Sequence, residues 1–311
     1  MKAVRSSAGA VGVVDIDEPP GTGELLTIRA ASICSSDLLY VRLGLQQVVG
    51  HELAGVRADG SAVVVEAMMS CMECELCRSG RYNLCPVHRE RALGATADGG
   101  MAEQFRAPAE HLVALPDGLD ARDAPLVEPA TVAWHAVRIA GTGPASRVAV
   151  VGAGALGLMA AAGARAQGAP EVAVDARYPH QAEAAERLGA AVGPSGLYDV
   201  VVEAAGTPSG LDRAIDLVAP GGIVVCIGVQ LGRVEIDWGT LFHREARLLP
   251  SIGYGAHETG REMEDAAAML AADPEIARAL ITHRFPLEDA AEAFRVAGDR
   301  EAGALRVVVE L

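Results

Sequence analysis

The pattern of apolar positions changes near residue 128 and divides the chain into two parts. Before that point, short apolar runs typical of β-strands occur at Leu25–Ala31, at Ser61–Val65 and around Glu103–Ala107. Turn-forming sequences such as Glu18-Pro-Pro-Gly-Thr-Gly23 and Asp98-Gly-Gly100 separate them. This part of the chain is therefore predicted to form a mostly-β domain with irregular loops.

After residue 128, apolar strands alternate with alanine-rich helical segments. The predicted elements are, in order, a strand, a helix, a strand, a helix and two strands: Val148–Val151, Ala155–Gln167, Glu171–Asp175, His180–Leu188, Asp199–Glu203 and Gly222–Ile227. Strand–helix alternation predicts a parallel sheet with right-handed crossovers. Helical patterns at Gly260–Ala272 and Leu287–Ala297 and a last strand at Arg306–Leu311 close the chain.

The composition excludes several classes of protein. Half of the 311 residues are apolar and 22% are charged, so the chain is not intrinsically disordered. The formal charge of −15 argues against nucleic acid or an anionic membrane as the main partner. No secretion signal stands out, and the longest uncharged run, Val148–Ala164, is too short and too rich in glycine to span a membrane. The protein is predicted to be soluble and cytoplasmic.

Four of the six cysteines lie close together in the chain, at Cys71, Cys74, Cys77 and Cys85. Without a secretion signal, this C-x2-C-x2-C-x7-C spacing indicates metal binding rather than disulfides. Structural zinc takes four ligands in a tetrahedron, with thiolates at about 2.3 Å, so the sequence predicts a closed zinc site. Cys226 lies in an apolar strand pattern and is predicted to be a small core side chain.

A glycine motif follows the first strand of the second part. Gly152, Gly154 and Gly157 fit G-x-G-x-x-G at the start of a predicted helix, where free N–H groups can bind a pyrophosphate. Asp175 ends the next strand, where a carboxylate accepts hydrogen bonds from the adenosine ribose, which favours NAD. A 2′-phosphate beside it would meet like charge, at a cost of ~2–3 kcal/mol without a compensating cation. Arg177 leaves NADP open as the second choice.

A second metal site is indicated by Cys34, with Ser36 and Asp37 after it, and by His51 followed by Glu52. A catalytic zinc needs about three protein ligands and one open position. Cys34 and His51 are candidate ligands, and Asp37 is a candidate partner that orients the imidazole. By themselves, a cysteine and a histidine this far apart in the chain are weak evidence, because lone histidines are more often structural.

Taken together, these motifs resemble those of the zinc-dependent medium-chain dehydrogenase/reductase family, in its alcohol and polyol (sorbitol- and threonine-dehydrogenase-like) branch. The resemblance covers essentially the whole chain and includes Glu128-Pro129 and Ile281–Leu287. It implies an α/β fold, with a doubly wound parallel Rossmann sheet joined to a GroES-like, mostly-β catalytic domain. The implied division is a catalytic domain at 1–127, a dinucleotide-binding domain at 128–255, and a segment at 256–311 that completes the catalytic domain.

The resemblance also implies roles for individual residues. Catalytic zinc would be bound by Cys34 and His51, with Glu52 and Glu128 as candidates for the third ligand, and Ser36 would start the proton relay. The four cysteines would hold a structural zinc, which makes two zinc ions per chain. The cofactor, NAD with NADP less favoured, would contact Gly152, Gly154, Ala155, Leu156, Gly157, Asp175 and Arg177.

The implied function is a zinc-dependent oxidoreductase that transfers a hydride between NAD and a secondary alcohol, polyol or sugar-like hydroxyl. The expected partners are a small alcohol or ketone and further copies of the chain, as a homodimer or homotetramer. Two alternatives stay open: a zinc-free quinone or enone reductase, which should lack Cys34, His51 and the cysteine cluster, and a zinc- and nucleotide-binding homologue without catalysis. Gly253 lies near the position where sorbitol-type relatives carry an arginine, so the sequence does not select a polyol substrate.

Overall fold

The structure is a computed structural model that describes residues 1–311, apart from the side chain of Arg300. Its strands are β1 (Lys2–Ser7), β2 (Ala10–Asp15), β3 (Glu24–Ser32), β4 (Glu52–Val56), β5 (Ala62–Val65), β6 (Gln104–Ala107), β7 (Leu112–Ala114), β8 (Arg147–Val151), β9 (Glu171–Asp175), β10 (Ala191–Val192), β11 (Tyr198–Glu203), β12 (Val218–Cys226), β13 (Arg247–Pro250), β14 (Ala256–His257), β15 (Gly260–Arg261), β16 (Ile281–Pro286) and β17 (Arg306–Glu310). Its helices are α1 (Ser35–Arg42), α2 (Glu75–Arg78), α3 (Val127–Ile139), α4 (Ala155–Ala166), α5 (Pro179–Arg187), α6 (Pro208–Leu217), α7 (Trp238–Arg244), α8 (Glu262–Ala272), α9 (Glu275–Leu280) and α10 (Ala290–Gly298).

Residue contacts divide the chain into two compact units, 1–128 with 254–311 (unit 1) and 129–253 (unit 2). The sheet of unit 1 has the order β16-β17-β3-β4-β5-β7, with β6 also paired to β3. The β16–β17 pair is parallel, and the other pairs in this sheet are antiparallel. Because β17 pairs with β3, the last strand of the chain lies within the sheet that the N-terminal strands form. Apolar side chains of β3, β4 and β5 pack with those of α10 in its core.

Unit 2 is a parallel sheet of order β10-β9-β8-β11-β12-β13. Counted from β8 as the first strand, this is the 3-2-1-4-5-6 order of the Rossmann fold, and the strand order reverses between β8 and β11. The central strands are buried along nearly their whole length, which explains why their sequences are continuous apolar runs. The predicted parallel sheet is confirmed.

Some elements were not predicted from the sequence. The hairpin of β1 and β2 turns at Ala8 and Gly9, both with positive φ, and α3 carries a proline in its first turn, where a missing N–H removes no helical hydrogen bond. Cys226, predicted to be a core side chain, is the last residue of β12; it is partly buried and packs against the apolar core of unit 2. Among the described residues, no helix has the length and apolar character that a membrane crossing requires.

A buried network of charges in unit 1 surrounds Glu66, which directly follows β5. Its carboxylate is fully buried: Oε2 lies 2.7 Å from Arg261 Nη2, and the Tyr82 hydroxyl donates a 2.7 Å hydrogen bond to Oε1. His111 Nδ1 lies 3.5 Å from Oε2. Burial alone would raise the pKa of Glu66, but His111, Arg261 and Tyr82 outweigh it and hold the pKa below the usual 4.5. The network therefore keeps a charged carboxylate inside the unit.

We expect Glu66→Gln to lower the free energy of unfolding of unit 1 by about 3 kcal/mol, because it leaves the partly buried Arg261 guanidinium uncompensated. Since the folded-state pKa of Glu66 is depressed, its contribution is fully present above pH 4.5 and is lost as the pH falls through the folded-state pKa. Urea unfolding at several pH values should therefore show wild type and variant converging in acid.

The matched control is Glu292→Gln, which removes an exposed partner of Arg295 and should change stability little at any pH. A Glu66→Gln variant as stable as wild type at neutral pH would contradict this assignment.

Candidate metal and dinucleotide sites

The buried carboxylate of Asp37 holds together the two segments that carry Cys34 and His51. Helix α1 begins directly after Cys34, and Asp37 in its first turn accepts a 2.9 Å hydrogen bond on Oδ2 from the Cys34 N–H. Oδ1 accepts a 3.3 Å hydrogen bond from the Gly50 N–H and lies 3.2 Å from His51 Nδ1. This arrangement fixes the imidazole by Nδ1 and leaves Nε2 as the nitrogen available to a metal.

Three donor atoms of different types converge at this place. The Cys34 sulfur, a ring nitrogen of His51 and a carboxylate oxygen of Glu52 lie within 4.8 Å of one another. Burial lowers the pKa of His51, but Asp37 and Cys34 raise it more, so the pKa is well above its usual 6.5, and a bound metal would displace that proton. Thiolate, imidazole and carboxylate are the ligand types of zinc, so the donor set fits a catalytic zinc.

The two predicted glutamates differ in their surroundings. The Glu52 carboxylate accepts hydrogen bonds of 2.9 and 3.0 Å from Arg306 Nη1 and a further short one from the Ser32 hydroxyl. Glu128 lies in the first turn of α3 and is buried, and burial raises its pKa to about 7; the charge of His51 lowers it and that of Glu52 raises it. Glu52 therefore belongs to the cluster of possible metal ligands, but its carboxylate is already hydrogen bonded to Arg306 and Ser32. Glu128 does not belong to that cluster, but the charges of His51 and Glu52 change its pKa.

Sequence reasoning missed two residues of this site. Tyr40 lies one helical turn after Ser36 on α1; burial raises its pKa, which the charges of His51 and Cys34 also influence. Ser36 Oγ itself lies 3.4 Å from His51 Nε2. The four-residue spacing from Ser36 could have revealed Tyr40, because such positions share a helix face. Arg306 could not be found in this way, since it reaches the site only through the pairing of β17 with β3.

The four clustered cysteines have the geometry of a tetrahedral metal site. A tetrahedron with Zn–S bonds of about 2.3 Å has sulfur atoms about 3.8 Å apart. The structure places Cys71 3.8 Å from Cys77, Cys77 3.5 Å from Cys74, and Cys71 3.6 Å from Cys85, sulfur to sulfur. Backbone N–H groups of Glu73 and Cys74 lower the pKa of Cys71 to about 6, which favours the thiolate that binds a metal. The set fits a structural zinc.

The glycine loop of unit 2 connects β8 to α4. Gly152 has φ +101°, and a Cβ there would lie 2.7 Å from the Ala205 nitrogen. A Cβ on Gly157 would lie 1.9 Å from the Gly152 carbonyl oxygen, so only glycine permits this packing of helix on loop. By contrast, a Cβ on Gly154 would meet nothing within 4 Å, which leaves room for a pyrophosphate at the helix N-terminus. Ala155 and Leu156 form the first turn of α4 beside this space.

Asp175 lies at the same edge of the sheet, because β9 pairs with β8 in a register that places it opposite Val151. Its carboxylate does not stand alone: Arg213 of α6 donates a 3.2 Å hydrogen bond from Nε to Oδ2. Arg177, the cation expected here from the sequence, instead has its guanidinium over the Tyr178 ring, 5.6 Å from the centroid. Sequence reasoning missed Arg213.

Comparisons with known proteins show the family of the chain. A family profile described as "Glucose dehydrogenase C-terminus" matches residues 121–311, and one described as "Alcohol dehydrogenase GroES-like domain" matches residues 22–117. L-galactonate-5-dehydrogenase of Escherichia coli (strain K12) is 30% identical over 88% of this chain and 88% of its own length. Sorbitol dehydrogenase of Bacillus subtilis (strain 168) is 30% identical over 92% of this chain and 89% of its own length.

The chain belongs to the zinc-dependent medium-chain dehydrogenase/reductase family. A solved structure described as a zinc-binding dehydrogenase from Sinorhizobium meliloti 1021, bound to NADP, is 28% identical and matches with a TM-score of 0.87 over 100% of this chain and 99% of that one. The predicted family and the predicted fold class, a Rossmann domain with a GroES-like domain, are confirmed, as is the general activity of this family member, an NAD(P)-dependent alcohol dehydrogenase.

The glycine loop of this dehydrogenase yields a paired prediction. We expect Gly154→Ala to keep the melting temperature of wild type and to weaken NADH binding about tenfold or more, because its Cβ enters the space left for the pyrophosphate. Gly157→Ala should lower the melting temperature as well, because its Cβ collides with a backbone oxygen. Calorimetry and NADH fluorescence titration measure the two effects, and unchanged NADH binding by Gly154→Ala would show that the pyrophosphate lies elsewhere.

Proposed function

We propose that this chain is a zinc- and NAD-dependent dehydrogenase of secondary alcohols, with polyols and sugar-like hydroxyls as its substrate class. The convergence of Cys34, His51 and Glu52 donor atoms within 4.8 Å is the observation that carries the proposal. The names of the relatives, an L-galactonate and a sorbitol dehydrogenase, support the substrate class. Unit 1 would be the catalytic domain, with residues 254–311 completing it, and unit 2 the dinucleotide-binding domain.

When bound, zinc supplies a Lewis acid that lowers the pKa of the substrate hydroxyl, and the nicotinamide supplies the hydride acceptor. Cys34 and His51 would hold the metal, and Asp37 would keep the His51 ring in one tautomer and orientation. Ser36, whose hydroxyl lies 3.4 Å from His51 Nε2, would relay the proton of the substrate hydroxyl: its oxygen accepts that proton while its own hydroxyl proton passes to a ribose hydroxyl or to water. The chain's own residues thus bind and orient the metal and move one proton.

The third donor to the metal comes from Glu52 or Glu128. Glu52 is the nearer, but Arg306 and Ser32 bond its carboxylate, and a metal would have to compete with these donors. Glu128 is buried, and the charge of His51 lowers its pKa, so the two groups lie close together. A bound metal would give the Glu128 carboxylate a positive partner. Glu52 and Glu128 are therefore both candidates for the third ligand that would hold the metal.

Two cysteine variants separate the catalytic from the structural zinc. We expect wild type to contain two zinc ions per chain. Cys34→Ala should lose one zinc and at least about 10³-fold in kcat, because the Lewis acid is lost, while its NADH affinity and melting temperature stay near those of wild type. Cys74→Ser should also lose one zinc but should lower the melting temperature, because a closed zinc site contributes folding free energy.

Plasma emission spectroscopy gives the zinc content, and NADH absorbance gives turnover on a panel of polyols, sugars and simple secondary alcohols. Cys226→Ala is the control, because Cys226 lies at the end of β12 and belongs to neither of the two groups of possible metal ligands. Near wild-type turnover by Cys34→Ala, or two zinc ions in Cys74→Ser, would contradict the proposal. Turnover on no member of the panel would leave the catalytic assignment unsupported.

The chain is also proposed to act as a homodimer or homotetramer in the cytoplasm. The four clustered thiols suit a reducing compartment. β13 is the last strand of the unit 2 sheet, so its outer edge can pair with another strand, and unit 2 also carries four apolar side chains that are between 66% and 75% exposed: Val229, Leu231, Trp238 and Phe242. A second copy of the chain would cover the free strand edge and these exposed side chains.

We expect sedimentation equilibrium to find a dimer or tetramer, and Phe242→Glu to shift it towards monomer, because a charge would be buried in the interface. Leu43→Glu is the matched control, since Leu43 is equally exposed, at 67%, but lies in unit 1. A monomeric wild type would contradict the assignment.

A further inference from the structure

The ribose end of the proposed dinucleotide site contains a cation that the sequence pattern did not reveal. Arg213, on α6, donates from Nε to Asp175 Oδ2 at 3.2 Å and from Nη2 to the Pro194 carbonyl at 3.2 Å. The two contacts hold the guanidinium between the end of β9 and the loop after β10. Among the described residues, the structure records no partner for its Nη1 group.

This pair changes the electrostatics expected at Asp175. A lone carboxylate repels a 2′-phosphate, which is the reason that such an acid favours NAD over NADP. With the Arg213 guanidinium in contact, the pair has no net charge, so most of that repulsion is cancelled within a few ångströms. Arg177 does not supply this cation, because its guanidinium lies over the Tyr178 ring.

We propose that Arg213 is a cofactor-specificity residue: it binds the 2′-phosphate of NADP beside Asp175, so that the enzyme accepts both NAD and NADP. This inference rests on the proposed dinucleotide site. With NAD, Asp175 accepts hydrogen bonds from the ribose hydroxyls while Arg213 stays paired to it. With NADP, Arg213 releases Asp175 and turns its donors to the phosphate.

The exposure of the pair makes this exchange of partners easy. The Arg213 side chain is 42% exposed and that of Asp175 is 39% exposed, and ion pairs with such access to water are weak. A guanidinium has five N–H donors in a planar fork that matches phosphate oxygens, and only two are used here. The arginine therefore gains more from a doubly charged phosphate than it loses from the carboxylate.

The test uses the full-length protein and two probes that occupy only the adenosine half of the site, AMP and adenosine 2′,5′-bisphosphate. Calorimetric titration gives the ratio of their affinities without depending on zinc or turnover. We expect wild type to bind the bisphosphate within about tenfold of AMP. Arg213→Gln should weaken bisphosphate binding by about tenfold or more and change AMP binding by less than about threefold.

Three further variants separate direct phosphate binding from a structural role. Arg213→Lys keeps a cation and should retain part of the bisphosphate affinity. Arg177→Gln, the matched control, should leave the ratio unchanged. In the Asp175→Asn background, Arg213→Gln should still weaken bisphosphate binding, because the contact with the phosphate does not pass through Asp175.

An unchanged ratio in Arg213→Gln, with AMP still bound, overturns the role of Arg213 and leaves the dinucleotide site intact. Loss of the Arg213→Gln effect in the Asp175→Asn background also overturns it, since the arginine would then act only by positioning the carboxylate. Failure of wild type to bind AMP overturns both this inference and the proposed dinucleotide site. Parallel titrations with NADH and NADPH should show the same change of ratio.

Discussion

The assembly of the candidate metal site depends on the burial of one charge, the Asp37 carboxylate. A carboxylate removed from water is costly unless donors surround it, and here the donors are the Cys34 N–H, the Gly50 N–H and His51 Nδ1. These groups come from the start of α1 and from the loop before β4. Asp37 is satisfied only when the two segments meet, so folding of unit 1 brings the Cys34 sulfur and the His51 ring together.

The interior around this carboxylate has an excess of negative charge that suits a cation. Asp37, Glu52 and Glu128 are buried there, and the buried positive groups facing them are His51 and Arg306. Arg306 is bonded to Glu52, and His51 is paired with Asp37, which leaves Glu128 without an ion pair among the described residues. A divalent ion bound at this place would supply positive charge. Burial, together with the neighbouring charge of Glu52, raises the pKa of Glu128 to about 7.

The sequence predicted features whose cause is local. Strand β9 has the predicted bounds, Glu171–Asp175, because a short apolar run that ends in an acid is sufficient to define a buried strand. The four clustered cysteines were recognised for a similar reason, because their spacing along the chain is enough to bring the sulfur atoms together. Arg306 and Arg213 were missed for one reason. Arg306 lies 254 residues from Glu52, and Arg213 lies 38 residues from Asp175, and no pattern within β17 or α6 specifies which carboxylate each arginine meets.

Both arginines pair with a carboxylate, and burial gives them different roles. Arg306 is 6% exposed and bonded to both oxygens of Glu52, so separating the pair would leave an uncompensated charge inside the unit, and the contact is in effect permanent. Arg213 and Asp175 lie at the surface, where water can solvate either side chain when the pair separates. A permanent pair suits the support of a metal site, whose ligands must not move, and an exchangeable pair suits a ribose pocket that must accept either hydroxyls or a phosphate. The same two residue types thus perform two functions, and solvent access decides which.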